Sequence, residues 1–194
     1  MRKHRKPLFL LVFLAICLGW TTPRAPGLAP AFAAEPTGTH FFDRDTGIAF
    51  DVPKGINLFT KSNPGPLGSQ IDARNPFILV NPTFTEENVN VKVAGRATSS
   101  DLSTMKSQLD NSTSFNVPGY KRVSVSMITI GKNRDIPAVE HVFFMKGNVP
   151  GKIRSVTFVV NGNGFIFTCA TGVDRFESAN RNFFDPLLSS VTTK

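Results

Sequence analysis

The residues of this chain able to do chemistry are few. Cys169 offers a thiol, but a nucleophilic cysteine needs a nearby base or positive charge to become thiolate. It shares strand parity with Phe165 and Phe167 in a segment whose alternation points those three side chains into apolar packing, so it reads as a core thiol. His141 alternates in step with Val139, Phe143 and Met145 and reads as an interior or interface histidine rather than a base. His40, Asp43 and Asp45 form the one metal-like grouping, and Asp43-x-Asp45-x-Gly47 looks like the opening of a calcium loop. Lys54, however, stands where such a loop would need its bidentate Glu. A turn ahead of the first strand is the simpler reading of these residues. The acidic pair Glu86-Glu87 is expected to flank an exposed strand edge, its side chains pointing to opposite faces. A Ser/His/Asp triad would have to use His40 or His141, and no Ser stands in a Gly-x-Ser-x-Gly elbow. No catalytic residue, cofactor or metal is therefore expected.

The segments that would carry these residues are mostly strands. Gly47 to Val52 alternates and stops at Pro53, and Phe77 to Val80 and Val89 to Val93 are two further short strands. Lys61 to Gln70, with Asn63-Pro64-Gly65-Pro66, reads as a surface loop. Ser99 or Ser100 can cap an amphipathic helix ending near Asn111, with Leu102, Met105 and Leu109 on one face. Asn111-Ser112-Thr113 matches a glycosylation acceptor but is read as a polar helix exit. From Tyr120 the chain becomes a meander. Val123, Val125 and Met127 share a parity, whereas Ile128 and Ile130 take the opposite one, which predicts a bulge or a change of cover. Asn161-Gly162-Asn163-Gly164 is a strong hairpin signal. Asp174 can cap a closing helix, which Pro186 should kink or restart with Asp185 as a new cap. Long hairpins with two amphipathic helices predict an α+β fold, an antiparallel β-sheet covered by α-helices.

The N-terminus speaks to location. Arg2-Lys3-His4-Arg5-Lys6 precedes an uncharged apolar run from Pro7 to Trp20, and Ala31-Phe32-Ala33 supplies a small-x-small exit site. The run falls short of the roughly 20 residues a membrane-crossing helix needs. Residues 1–33 are thus expected to be a cleaved signal peptide, cut between Ala33 and Ala34, with retention as an anchor the alternative. Cys17 lacks a small residue before it, which argues against a lipoprotein site. Residues 34–46 read as a flexible leader and 47–194 as a single domain. The formal charge of +8, from 22 basic and 14 acidic residues, loses Arg2, Lys3, Arg5, Lys6 and Arg24 with the signal and falls to +3. The case for nucleic acid as partner falls with it. Cys169 is then the sole cysteine, so no intrachain disulfide can form.

Several marks occur in a fixed order: Gly47-Ile-Ala-Phe-Asp-Val-Pro-Lys-Gly55, Asn88-Val-Asn-Val-Lys-Val93, Ile136-Pro-Ala138, Arg154-Ser-Val-Thr-Phe158, Asn163-Gly-Phe-Ile-Phe-Thr-Cys-Ala-Thr171, and a final helix with Phe176-Glu177 and Phe183 to Ser190. This order resembles the PsbP-like superfamily, including DcrB-like bacterial envelope proteins. The resemblance implies a PsbP-like α/β/α sandwich and a non-enzymatic role in binding other proteins, and it carries no partner-binding residue onto a numbered position. The expectation is an exported accessory protein, periplasmic or secreted, that binds an envelope or periplasmic protein. It has no membrane span once the signal is removed. A small-ligand or divalent-ion binding module at His40, Asp43 and Asp45 is the alternative.

Overall fold

The computed structural model describes residues 38–112, 117–146 and 150–193. The expected signal peptide and its cleavage site at Ala33 and Ala34 lie outside the described residues. Seven strands form one antiparallel sheet: β3 (Asn57–Thr60), β4 (Phe77–Val80), β5 (Asn88–Arg96), β6 (Lys121–Ile130), β7 (Ile136–Met145), β8 (Gly151–Val160) and β9 (Asn163–Gly172). Their spatial order is β3-β4-β5-β9-β8-β7-β6, so the C-terminal hairpin β8-β9 lies inside and β6 forms one edge. A smaller antiparallel sheet has β2 (Ile48–Asp51) between β1 (His40–Phe42) and β10 (Thr192–Thr193).

Strand parity sorts the side chains into two layers. One face of the large sheet carries Val89, Val91, Val156, Phe158, Phe165, Phe167 and Cys169, which pack with Ile48 and Phe50 of the small sheet and with Phe183, Phe184, Leu187 and Leu188 of the C-terminal helical segment. The rings of Phe158 and Phe165 stack at 5.6 Å, and Phe50 meets Phe167 edge-on at 6.1 Å. Truncating one such buried ring costs about 3–5 kcal/mol. The opposite face carries Val139, which packs against Leu102, Met105 and Leu109 of α1 (Ser99–Asn111). Helices therefore cover both faces of an antiparallel sheet, an α+β sandwich.

The hairpin signal at Asn161-Gly162 is realised: both residues have positive φ, 50° and 74°, as a right-twisted two-residue turn requires. Of the two readings of the opposite parity of Ile128 and Ile130, the change of cover holds: Ile128 and Val125 pack into different clusters on opposite faces. Pairing with β7 is unbroken from Ser124 to Ile130, and the one register shift in β6 lies earlier, between Arg122 and Ser124.

Other expectations need correction. Within the span read as a flexible leader, 34–46, the described part forms β1 and the tight turn into β2, with Phe41 packed against the core. The short strand β3 lay between turn-forming stretches and left too few residues for a pattern. Thr98, not Ser99 or Ser100, is the N-cap of α1, and the Asp101 carboxylate accepts its N–H at 2.8 Å. Neither Asp174 nor Asp185 caps a helix with its side chain. Asp174 sits in a 3-10 turn, and α2 (Phe176–Ala179) runs on through a π turn (Asn180–Phe184) into α3 (Asp185–Ser190). Pro186 lies in the first turn of α3, where it has no N–H to contribute. The wider i→i+5 bond from Asp185 N–H to Asn180 C=O absorbs that gap and keeps the axis continuous.

Candidate functional site

The thiol and the imidazole that could have formed a nucleophile and base point to opposite faces of the sheet. Cys169 on β9 is level with Arg154 on β8, and Arg154 is level with Val142 on β7. His141 is the next residue along and faces the other way. Cys169 is fully buried in the core, and burial pushes its thiol up to about 12. His141 is hydrogen-bonded through Nε2 to Tyr120 Oη at 2.9 Å, beside the Phe143 ring at 4.7 Å. Burial, and secondarily the Arg122 charge, push its pKa down to about 4. Ser155 is its register partner on β8 and is likewise buried. The Ser155 hydroxyl has no hydrogen-bond partner among the described residues, so the imidazole does not take its proton. Sequence reasoning missed this juxtaposition, because the alternation of each strand gives its faces but not its register against the neighbouring strand.

A second set of Ser, His and Asp does meet, at the small sheet. His40 Nδ1 donates to Asp51 Oδ1 at 2.8 Å. Ser190 Oγ accepts the Asp51 N–H at 2.9 Å and donates to Leu187 C=O at 2.8 Å. Asp51 is thus the middle member, with His40 on one neighbouring strand and Ser190 on the other side. A catalytic triad needs the histidine in the middle, so this arrangement ties β2 to its neighbours instead. Asp43 accepts from Thr46 N–H at 3.0 Å and from Thr46 Oγ1 at 2.5 Å, and it closes the β1-β2 turn with Asp45 exposed in that turn. His40, Asp43 and Asp45 do not converge. Among the described residues no group of three or more His, Cys, Asp or Glu could hold a metal ion.

The remaining charged clusters are internally satisfied. Arg154 donates from Nε to Glu140 at 2.7 Å, and from Nη1 to Asp185 at 2.5 Å and Asn180 Oδ1 at 3.2 Å. Glu87, expected at an exposed edge, is instead buried. It accepts from Arg175 Nε at 2.5 Å and from Asn81 Nδ2 at 2.7 Å, and the Arg175 guanidinium lies 3.3 Å from the Phe84 ring centroid. Each cluster clamps a loop or helix to the sheet.

The exposed loop and the sheet edge offer contrasting surfaces for docking. The loop from Lys61 to Gln70 is exposed, and its 3-10 turn (Gly65–Gln70) buries no residue, but it shows no exposed large apolar side chain. Strand β6 differs. Like β3 at the opposite end of the sheet it pairs with one strand, here β7, and leaves its other side open among the described strands, but the side chains of β3 are all buried. Strand β6 also carries two of the four exposed large apolar side chains among the described residues, Val123 at 49% and Met127 at 45%. Because α1 covers only the middle of that face, the shared parity of Val123, Val125 and Met127 does not translate into burial. This edge is the candidate functional site.

No protein-family model matches the sequence, and no curated protein sequence matches it. Among solved structures, the chain is similar to the cyanobacterial PsbP, CyanoP, of Synechocystis, with a TM-score of 0.57 at 14% identity over 90% of this chain and 99% of that one. It is similar to LpqN of Mycobacterium tuberculosis, described as involved in cell envelope biogenesis, with a TM-score of 0.54 at 16% identity over 80% and 90%. A third likeness is to a protein of Bacteroides thetaiotaomicron, with a TM-score of 0.55 at 10% identity, where the chain covers 49% of that protein's length. At these identities the likeness is one of fold, and the fold is PsbP-like.

Proposed function

We propose that this PsbP-like chain is an exported, non-enzymatic accessory protein of the bacterial envelope that works by binding another envelope or periplasmic protein. The observation that carries the reading is the open β6 edge with Val123 and Met127 exposed on it. An uncovered strand edge presents unpaired backbone N–H and C=O groups, a template for another chain. Three further facts support it. The signal-like N-terminus points to export. The nucleophile and base candidates are separated by the sheet or held in structural bonds. A relative in fold is described as acting in cell envelope biogenesis. Among the described residues no helix is long and apolar enough to cross a membrane. No observation favours the ion-binding alternative, since Asp43 is occupied with Thr46 and His40 with Asp51.

The test is affinity capture from envelope extract with the mature chain as bait, followed by reconstitution of the recovered protein with purified bait. A single partner that binds stoichiometrically is the expected result. Turnover of a small substrate by the purified chain, with no reconstituting partner, would overturn the reading.

A further inference from the structure

The β6 edge specifies more than the presence of a partner. Strand edges are ordinarily protected by charged side chains, prolines or bulges. Here those devices are confined to one end: Lys121 and Arg122 open the strand, and the register shift falls between Arg122 and Ser124. From Ser124 to Ile130 the pairing with β7 runs without interruption, and the seven residues Ser-Val-Ser-Met-Ile-Thr-Ile include no charge and no proline. That stretch is long enough to pair a further strand, since strands commonly run about 5–6 residues.

The ends of the stretch fix the sign of what it accepts. From Asn111 to Arg134 the chain carries Lys121, Arg122, Lys132 and Arg134 and no acidic residue. Arg122 is spent on the C-terminus of α1, where its Nη1 donates to the carbonyls of Leu109 at 2.8 Å and Asp110 at 2.7 Å. Lys121, Lys132 and Arg134 are exposed. The open edge therefore has a cation before it and two in the β6-β7 turn after it, where the exposed Asp135 adjoining β7 leaves the turn with a net charge of +1. A second copy of this chain, added antiparallel about a two-fold axis, would lay Lys121 of one copy beside Lys132 and Arg134 of the other. Like charges directly opposed across a strand pair are destabilising.

We infer that β6 accepts an extended segment of a partner protein, acidic at both ends and apolar between, which adds to the large sheet as an eighth strand beyond Ser124 to Ile130. This rests on the docking reading above and names its mode and chemistry. Backbone bonds to the edge supply affinity, side chains of the added strand cover Met127, and the flanking acidic groups meet Lys121, Lys132 and Arg134.

The experiment is an amide-resolved NMR titration of the mature chain with three short peptides. One alternates Val and Thr with Glu pairs at both ends, the second has Lys pairs instead, and the third has the composition of the first with its Glu residues clustered in the centre. The expected result is that the first peptide alone shifts the amides of Ser124 to Ile130, with interchain strand contacts to β6. Its binding should fall at least about tenfold in a Lys121→Glu, Lys132→Glu double variant whose own spectrum is otherwise native, and it should also fall with added salt. The inference is overturned if the acidic peptide shifts no β6 amide, if the basic peptide shifts them equally, or if the chain self-associates through them. Capture of a reconstituting partner together with silent β6 amides would leave the docking reading standing and remove this one. Failure of both would remove both.

Discussion

The guanidinium of Arg154 on β8 donates from Nε to the carboxylate of Glu140 on β7 at 2.7 Å, with side-chain exposures of only 14% and 17%. The same guanidinium reaches Asp185 at the start of α3, so one side chain joins two strands of the sheet to the helix lying over them. Removing one partner of such a pair strands the other in a poorly solvated site. Arg154→Ala is expected to lower the free energy of unfolding by about 3 kcal/mol, read from urea denaturation. Arg154→Met combined with Glu140→Leu should recover much of the loss. Equal destabilisation by the single and double variants would show that the pair is not the source.

Cys169 is expected to be inert in the folded protein, because burial holds it as a neutral thiol. Native chain treated with a thiol-specific chromophoric reagent at pH 8 should give no signal over minutes, and one equivalent after unfolding in denaturant. Cys169→Ala should leave partner binding unchanged while costing about 1 kcal/mol through lost packing. Rapid reaction of the native thiol would contradict the core placement.

His141 makes stability depend on pH. Its pKa is about 4 when folded against 6.5 ordinarily, so between those values the unfolded chain binds a proton that the folded chain does not. The contribution is fully present above pH 6.5 and is lost as pH falls toward 4. Its size is on the order of 3 kcal/mol. His141→Gln keeps a hydrogen-bonding group beside Tyr120 and should flatten the slope of unfolding free energy between pH 6.5 and 4.5. An unchanged slope would assign the effect to other groups.

The β6-β7 turn is locked onto the end of α3: Gly131 N–H donates to Leu188 C=O at 3.0 Å, and Lys132 N–H to Val191 C=O at 3.3 Å. Gly131 has φ of 88°, and a Cβ there would stand 2.9 Å from the Val191 carbonyl oxygen. Gly131→Ala is therefore expected to cost more than about 1 kcal/mol, from strain and contact together. Calorimetry of the variant against Gly162→Ala, whose φ is 74° with nothing near the added carbon, separates contact from backbone strain. Equal losses would show that the contact is harmless.

Much of this fold was legible because its strands are long and alternate. The parity of Phe165, Phe167 and Cys169, and the Asn161-Gly162 turn, led directly to the β8-β9 hairpin at the heart of the sheet. What escaped was set by tertiary contacts. β1 and β3 are too short to carry a period of two, and each exists because a neighbouring strand supplies its ladder. Asp185 reads locally as a cap, but Arg154, distant in sequence, claims its carboxylate. Glu87 reads as surface until Arg175 closes over it. The candidate site was legible only in part. The alternation of Val123, Val125 and Met127 marks a strand, and nothing local says that it will be the edge of the sheet or that α1 stops short of covering it.

Site-specific photocrosslinking in living cells tests the central claim most directly. A photoreactive residue in place of Val123 or Met127 is compared with the same residue in place of Lys61 in the exposed loop and of Arg181 on the helical layer. Docking through the β6 edge requires a discrete adduct with one envelope protein from positions 123 and 127, and none from the other two. Adducts from Lys61 or Arg181 alone, or none from any position, would contradict it.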